Sequence, residues 1–177
     1  ELRVSGRKPF VIPLGASTPT GAAGLALGLL EMLEQGQRPD VVFHASSSGG
    51  TQAGLVAGAA LSGFTTRIIG VSADESAETL AGIVRSLAGG VMGLAGSVAA
   101  LPPVEVRDGF IGEGYGIPTD ASREAQTLLA RTEALIVDHT YTAKALAGLI
   151  AFVRAQEAPA GSSLLFWHTG GQVGVLA

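Results

Sequence analysis

The chain has 177 residues, of which 47% are hydrophobic and 15% are charged, and its net charge is −4. This length fits one domain with a sizeable apolar core. The charged residues form no basic stripe, which argues against a nucleic-acid partner. The lack of cysteine excludes a disulfide framework and a cysteine-based metal site, and the three dispersed histidines predict no metal site.

The sequence also argues against a membrane partner. The longest small-residue stretch, 80–101, is interrupted by Arg85 and Ser86, so it is not a spanning segment. No secretion signal is visible. We therefore expect a cytoplasmic protein.

Short apolar runs alternate with helical segments along the chain. In chain order we predict a strand at 10–14, a helix at 22–35, a strand at 41–45, a helix at 51–61, a strand at 67–72, a helix at 75–88, a strand at 104–107, a helix at 121–132, a strand at 135–138, a helix at 143–154 and a strand at 164–168. Residues 89–103 are ambiguous, 108–119 form a glycine-rich loop, and Thr119 or Asp120 is the N-cap of the helix that follows. Continuous apolar strands between helices predict an α/β fold with a parallel sheet covered by helices on both faces, in three layers.

The residues after the second predicted strand, Ser48-Gly49-Gly50-Thr51-Gln52, have the composition of a phosphate cradle. Backbone N–H groups at a helix N-terminus are unpaired, glycine allows close approach, and hydroxyls add donors. The loop has no lysine for outer phosphates and no G-x-G-x-x-G order, so a single phosphate on a small cofactor fits better than a nucleotide. An ordinary Ser/Gly-rich turn is the alternative.

Polar clusters follow four predicted strands, at 48–52, 73–76, 139–142 and 169–171. Ligands of open parallel sheets bind at the carboxyl ends of the strands, so these clusters could face one site. Helix capping is the alternative, and we favour it for Asp74 and Ser76.

Two other glycine-rich segments are read as structural. The segment 15–21, GASTPTG, resembles a phosphate loop, but Pro19 removes a donor and the predicted helix starts later, so we interpret it as a turn near a domain boundary. The second segment is 108–119. We interpret the charged residues in it and directly before it as a structural ion network, formed by Arg107, Asp108 and Glu113.

Five motifs together resemble one enzyme family. They are ASSSGGTQAGLVAG at 45–58, GVSADES at 70–76, DGFIGEGYGIPT at 108–119, VDHTYTAKA at 137–145 and FWHTGGQVG at 166–174. In this order and spacing they resemble the D-cysteine desulfhydrase and 1-aminocyclopropane-1-carboxylate (ACC) deaminase family. The resemblance implies pyridoxal 5'-phosphate as cofactor, a small amino acid as substrate, and the large domain of the tryptophan-synthase β-like fold (fold type II).

The resemblance also implies roles for four residues. Tyr141 and Tyr115 match the active-site tyrosines of the family, whereas sequence pattern alone would make Tyr141 a structural residue. Thr142 and Thr169 are candidate partners of the pyridine nitrogen, and a hydroxyl that bonds backbone is the alternative for Thr169. The deaminase branch carries glutamate where Thr142 stands, which favours β-elimination from a small D-amino acid over deamination of the cyclopropane substrate. A non-catalytic module that binds a phosphorylated ligand is the third hypothesis.

The family's Schiff-base lysine lies in an Asn-Lys-x-Arg-Lys segment that nothing in this chain matches. The chain has only Lys8 and Lys144, and neither has that context. We therefore expect residues 1–177 to be a single cofactor-binding domain, a fragment lacking the lysine segment and most of the small domain. Alone, it should neither attach the cofactor covalently nor act as a lyase. An exposed sheet edge or face should favour a homodimer, or association with the missing N-terminal fragment.

Overall fold

The structure is a computed structural model that describes residues 3–171. The last three residues of the FWHTGGQVG motif, 172–174, lie outside this range. After a short 3-10 turn, the helices and strands are α1 (Pro19–Glu34), β1 (Val41–Ser46), α2 (Gly50–Ser62), β2 (Arg67–Ser72), α3 (Ala77–Leu94), β3 (Glu105–Arg107), α4 (Asp120–Glu133), α5 (Thr142–Arg154) and β4 (Leu164–Trp167).

The strands form one sheet in the order β3-β2-β1-β4, and every neighbouring pair is parallel. All six residues of β1 are buried, which explains its unbroken run of non-charged side chains. Ser46 and Ser72 lie opposite each other at the ends of β1 and β2. The loops after these two central strands therefore leave the same edge of the sheet, side by side.

Helices cover both faces, as predicted. On one face, α1, α2 and α3 pack on a core that includes Val42, Ile68 and Leu55. On the other face, α5 packs against Phe43 and Val71, and α4 packs against α5. Alternate residues of β1 feed the two cores, so the sheet is the middle of three layers.

Two predicted strands are absent from the structure. Residues 10–14 lack strand pairing, and the side chain of Phe10 is 90% exposed, because nothing in the described part of the chain packs on this apolar run. Residues 135–138 form no strand. Their carbonyls bond side chains instead, since Ile136 O contacts His168 Nε2 and Val137 O accepts from Gln126 Nε2.

Two helix boundaries also differ from the prediction. Helix α1 begins at Pro19 rather than at residue 22, because Thr18 Oγ1 accepts from the Gly21 N–H and proline needs no partner at the first helical position. Helix α3 continues to Leu94, into the first part of the ambiguous region 89–103. Thr119 caps α4 in a capping box with Ser122.

The predicted ion network is correct only at Arg107. Its guanidinium bonds Glu157 and Glu105, 2.6 and 3.4 Å from the nearest carboxylate oxygens. Asp108 instead accepts a backbone N–H at the start of α3, and Glu113 is exposed. Within residues 3–171, no helix combines the length and the apolarity needed to cross a bilayer.

Candidate active site

An open cleft of about 670 Å³ lies at the carboxyl ends of β1 and β2. All four predicted polar clusters contribute to it, together with the loop before α1 and the loop that carries Tyr115. The lining residues are Leu14, Gly15, Ala45, Ser46, Ser47, Ser48, Gly49, Gly50, Thr51, Asp74, Tyr115, Tyr141 and Thr169.

The predicted cradle forms one wall of the cleft. Gly49 is the N-cap of α2 and has φ +82°, a left-handed conformation that glycine adopts without strain. A Cβ there would lie 3.1 Å from Ile83 Cγ2. The first bond of the helix runs from Ala53 N to Gly49 O, so the N–H groups of Gly50, Thr51 and Gln52 have no helical acceptor.

Two serine hydroxyls extend this set of donors. Ser46 Oγ is buried and has no hydrogen-bond partner, although Ser46 lines the cleft. Ser48 Oγ accepts a 2.7 Å hydrogen bond from Ser17 Oγ, in the turn just before α1. This bond leaves the Ser48 proton free to be donated to a ligand.

The structure separates the roles of Asp74 and Ser76. Ser76 caps α3 by accepting from the Thr79 N–H, as predicted. Asp74 does not cap the helix: its Oδ2 accepts from Ser47 Oγ at 2.7 Å, and its carboxylate lines the cleft. The capping interpretation was wrong for Asp74, because the loop after β1 supplies a closer donor.

The two tyrosines meet in the same cleft as the cradle. Tyr141 is the N-cap of α5, and Tyr115 lies in the glycine loop before α4. Their rings pack edge to face with centroids 5.6 Å apart, and their hydroxyls are hydrogen-bonded. The bond from Tyr115, followed by burial, raises the pKa of Tyr141 to about 12, so Tyr141 is protonated at neutral pH.

The two threonines occupy different positions. Thr169 is exposed and lines the cleft. Thr142 is buried outside the lining, and its Oγ1 donates to Asp138 Oδ2 at 2.7 Å and accepts from the Asp138 N–H. Burial opposes ionisation of Asp138, but hydrogen bonds from Thr142 and from the backbone at Tyr141 outweigh it and lower the pKa of this carboxyl.

The side chain of Gln52 also points away from the cleft. It is fully buried against Gly70 of β2, and its Nε2 donates to Glu105 O at 2.7 Å. Helical periodicity turns the third residue of α2 toward the sheet, and only its backbone N–H remains on the cradle side.

Several residues of this region were not among the candidates that sequence patterns indicated. Leu14 and Gly15 line the cleft, Ser17 bonds the cradle, Ser46 adds a hydroxyl, and Lys144 anchors the loop of Tyr115. The signal for Gly15 and Ser17 was the phosphate-loop character of segment 15–21, which we set aside; Leu14 lies outside that segment. No local pattern identifies Ser46 or Lys144.

The donor set fits a phosphate monoester. Unpaired N–H groups, the orphaned Ser46 hydroxyl and the Ser48 hydroxyl converge on one wall. None of the described residues that line the cleft is lysine or arginine. The tyrosines and Thr169 provide aromatic and hydroxyl groups for a flat polar ring.

Sequence comparisons agree with this chemistry. The family model described as "Pyridoxal-phosphate dependent enzyme" matches residues 1–170. D-cysteine desulfhydrase of Serratia proteamaculans is 35% identical over 185 residues, covering 100% of this chain and 54% of the relative. ACC deaminase of Variovorax paradoxus is 38% identical, covering 97% and 53%. The chain spans about half the length of these relatives.

Structural comparisons agree as well. A crystal structure described as an ACC deaminase homologue has a TM-score of 0.89 at 32% identity and covers 99% of this chain and 53% of that one. Threonine deaminase of Solanum lycopersicum, at 18% identity and a TM-score of 0.56, with 93% of this chain and 49% of that one covered, shares the fold. The predicted fold type II is thus confirmed, and the chain belongs to the pyridoxal-phosphate dependent enzyme family.

Proposed function

We propose that this cleft holds pyridoxal phosphate in a lyase that acts on a small D-amino acid. The observation that carries the proposal is that the cradle at the start of α2 and the tyrosine pair face the same cleft. Ser48, Gly49, Gly50 and Thr51 would bind the phosphate, and the backbone N–H of Gln52 completes the set.

The opposite wall would contact the ring and the substrate. When bound, the cofactor supplies a conjugated ring that withdraws electrons from the α-carbon of an amino acid. Thr169 would meet the pyridine nitrogen as a neutral hydroxyl. Thr142 would act only indirectly, because its hydroxyl already donates a hydrogen bond to Asp138. Tyr141 Oη, protonated at neutral pH, would donate a proton to the leaving group and regain it through Tyr115 Oη.

β-Elimination is the reaction that these groups support best. A hydroxyl partner leaves the ring nitrogen largely unprotonated, which suits departure of the β-substituent as the α-proton leaves. From D-cysteine and one water, the balanced products are pyruvate, ammonia and hydrogen sulfide. The resemblance of the region around Thr142 to the desulfhydrase branch supports this choice.

ACC deamination is the alternative. The relatives named as deaminases, from V. paradoxus and Pyrococcus furiosus, are 38% and 37% identical to this chain. The desulfhydrases of S. proteamaculans and Salmonella typhi are 35% and 34% identical. Identity therefore favours neither activity.

The lysine required by this chemistry would come from another segment of the whole protein. Lys8 is exposed outside the cleft. Lys144 is buried, and its ammonium already donates to two backbone carbonyls. Both lie within residues 3–171, and neither lines the cleft. The incomplete-domain interpretation of the sequence is therefore retained as part of the proposal.

Two measurements on the whole protein test the proposal. The double variant Ser48→Ala/Thr51→Ala should bind pyridoxal phosphate at least tenfold more weakly, whereas Thr127→Ala, an exposed hydroxyl of α4, should not change affinity. Turnover of D-cysteine should exceed turnover of the cyclopropane amino acid. Unchanged affinity in the double variant would place the cradle elsewhere, and a clear preference for the cyclopropane substrate would select the deaminase.

A further inference from the structure

Lys144 is a buried cation that the proposed chemistry does not use. Its side chain is 1% exposed, and its Nζ donates to Ile111 O at 2.7 Å and Gly114 O at 2.8 Å. Burial lowers the pKa of Lys144, and the charge of Asp74 opposes this effect. Among residues 3–171, it forms no salt bridge. A buried ammonium without a carboxylate depends on such carbonyls for its stability.

Both carbonyls belong to the loop that presents Tyr115. Gly112, Gly114 and Gly116 have φ values of +69°, +154° and +75°. These conformations favour glycine and turn the loop back on itself. Gly114 O accepts from Lys144, and Tyr115 is the next residue. The ammonium therefore fixes the backbone one peptide bond away from the tyrosine.

The same helix end carries the other tyrosine. Tyr141 is the N-cap of α5, three residues before Lys144. Tyr115 is 55% exposed and is not enclosed by the core, so its ring needs another constraint to stay edge to face with Tyr141. We propose that Lys144 is a positioning residue that holds Tyr115 against Tyr141. We call this contact of Lys144 with the Tyr115 loop the tether. The effect of the tether on catalysis rests on the proposed function, but the tether itself does not.

The substitution Lys144→Met tests the ammonium separately from the packing of its stem. Methionine keeps an unbranched apolar side chain but cannot donate to Ile111 O and Gly114 O. Released from these bonds, the loop should let Tyr115 leave Tyr141. The readout is the alkaline titration of tyrosine absorbance at 295 nm after a rapid pH jump. Since the chain has two tyrosines, this signal follows only the pair.

The expected result is a fall in the upper tyrosine pKa. In the unaltered chain the pKa of Tyr141 is raised to about 12 by Tyr115, then by burial and by the charges of Asp74 and Asp138. In Lys144→Met it should fall toward the value measured in Tyr115→Phe, where the contact is removed directly. Lys8→Met, at an exposed lysine, should leave the titration unchanged.

An unchanged upper titration in a folded Lys144→Met chain, together with unchanged cross-relaxation between the Tyr115 and Tyr141 rings at neutral pH, would overturn the proposal. If that variant does not fold, the unaltered chain still gives a decision by NMR. Cross-relaxation between the ring protons of Tyr115 and Tyr141 is required by their edge-to-face contact, and its absence would also overturn the proposal. If the titration moves but the whole protein turns over neither D-cysteine nor the cyclopropane amino acid, the tether stands and the proposed function fails.

Discussion

His44 should make the stability of this domain sensitive to mild acid. It lies fully buried on β1, two residues before Ser46. Its Nδ1 contacts Ala45 O at 2.9 Å, and its Nε2 has no partner. Burial lowers the pKa of His44 from 6.5 to about 4, although the bond to Ala45 opposes the shift.

The sign of the effect follows from proton binding in the two states. The unfolded chain takes up a proton near pH 6.5, while the folded chain resists it until about pH 4. The contribution of His44 to the free energy of unfolding is therefore complete above pH 6.5 and is lost as the pH falls toward 4. At about 1.4 kcal/mol per pKa unit, the loss is about 3 kcal/mol.

Urea unfolding at pH 7.5 and pH 4.5 measures this loss. Carboxyls with lowered pKa, such as Asp138 and Glu157, also lose stability in acid, so the comparison must be with a variant that keeps them. His44→Leu removes the titrating ring at similar volume. Between pH 7.5 and pH 4.5, the free energy of unfolding of wild type should fall by about 2 to 3 kcal/mol more than that of His44→Leu.

The exposed His168 provides the matched control. His168→Gln should keep the acid sensitivity of wild type. If the unfolding free energies of wild type and His44→Leu fall in parallel with pH, the buried, neutral state assigned to His44 is refuted. Because β1 leads directly into the cradle, anion binding should disappear together with folding in acid.

Other substitutions separate backbone strain, packing and cofactor attachment. Gly49→Ala should lower the free energy of unfolding by about 1 to 2 kcal/mol and weaken phosphate binding in calorimetry. Gly63→Ala, also at positive φ but in open space, should lower stability without weakening phosphate binding. Gly54→Ala should strongly destabilise the domain in urea unfolding, because a Cβ there would lie 2.2 Å from the α1 backbone. Gly82 has open space around it, so Gly82→Ala should stabilise α3 by up to about 1 kcal/mol. Borohydride reduction of this chain with pyridoxal phosphate should give no stoichiometric adduct on Lys144 in peptide maps.

Contrary outcomes would each identify a specific error. Equal loss of phosphate affinity in Gly49→Ala and Gly63→Ala would show that strain, rather than the cradle, controls binding. Normal stability of Gly54→Ala would mean that α1 and α2 pack less closely than described. A stoichiometric adduct on Lys144 with turnover of D-cysteine would show that the catalytic lysine had been misplaced.

Sequence patterns predicted the elements whose signals are local. The strand at 67–72 was predicted with its exact bounds, because a continuous apolar run lies between polar turns. Thr119 was one of two predicted caps, and the capping box with Ser122 selects it. Residues 10–14 show the limit of this reasoning: an apolar run predicts burial only if a partner surface exists, and a local pattern contains no information about that surface.

The site was predictable to the same extent. The candidate cradle is contiguous in sequence, so composition was sufficient to indicate it, and the structure confirms the strand, turn and helix on which it lies. The bond from Ser17 to Ser48 joins residues 31 positions apart, and the bond from Lys144 to Gly114 joins residues 30 apart. Such contacts exist only after α1, α2 and α5 pack on the sheet. The direction of the Gln52 side chain, which is buried toward β2, could not be predicted, because a local pattern does not show which way a side chain points.

The charges around the cleft restrict what it can bind. A phosphate on the cradle would face neutral donors and the positive end of the α2 dipole, without a lysine or arginine among the described lining residues. Asp74 is a carboxylate on the same cleft, and its bond from Ser47 only partly offsets repulsion of an anion. A second or third phosphate would meet this carboxylate with no cation to compensate it. The arrangement therefore favours a single phosphate on an otherwise uncharged ring and disfavours nucleotides. The loop sequence, which has no lysine, indicates the same preference.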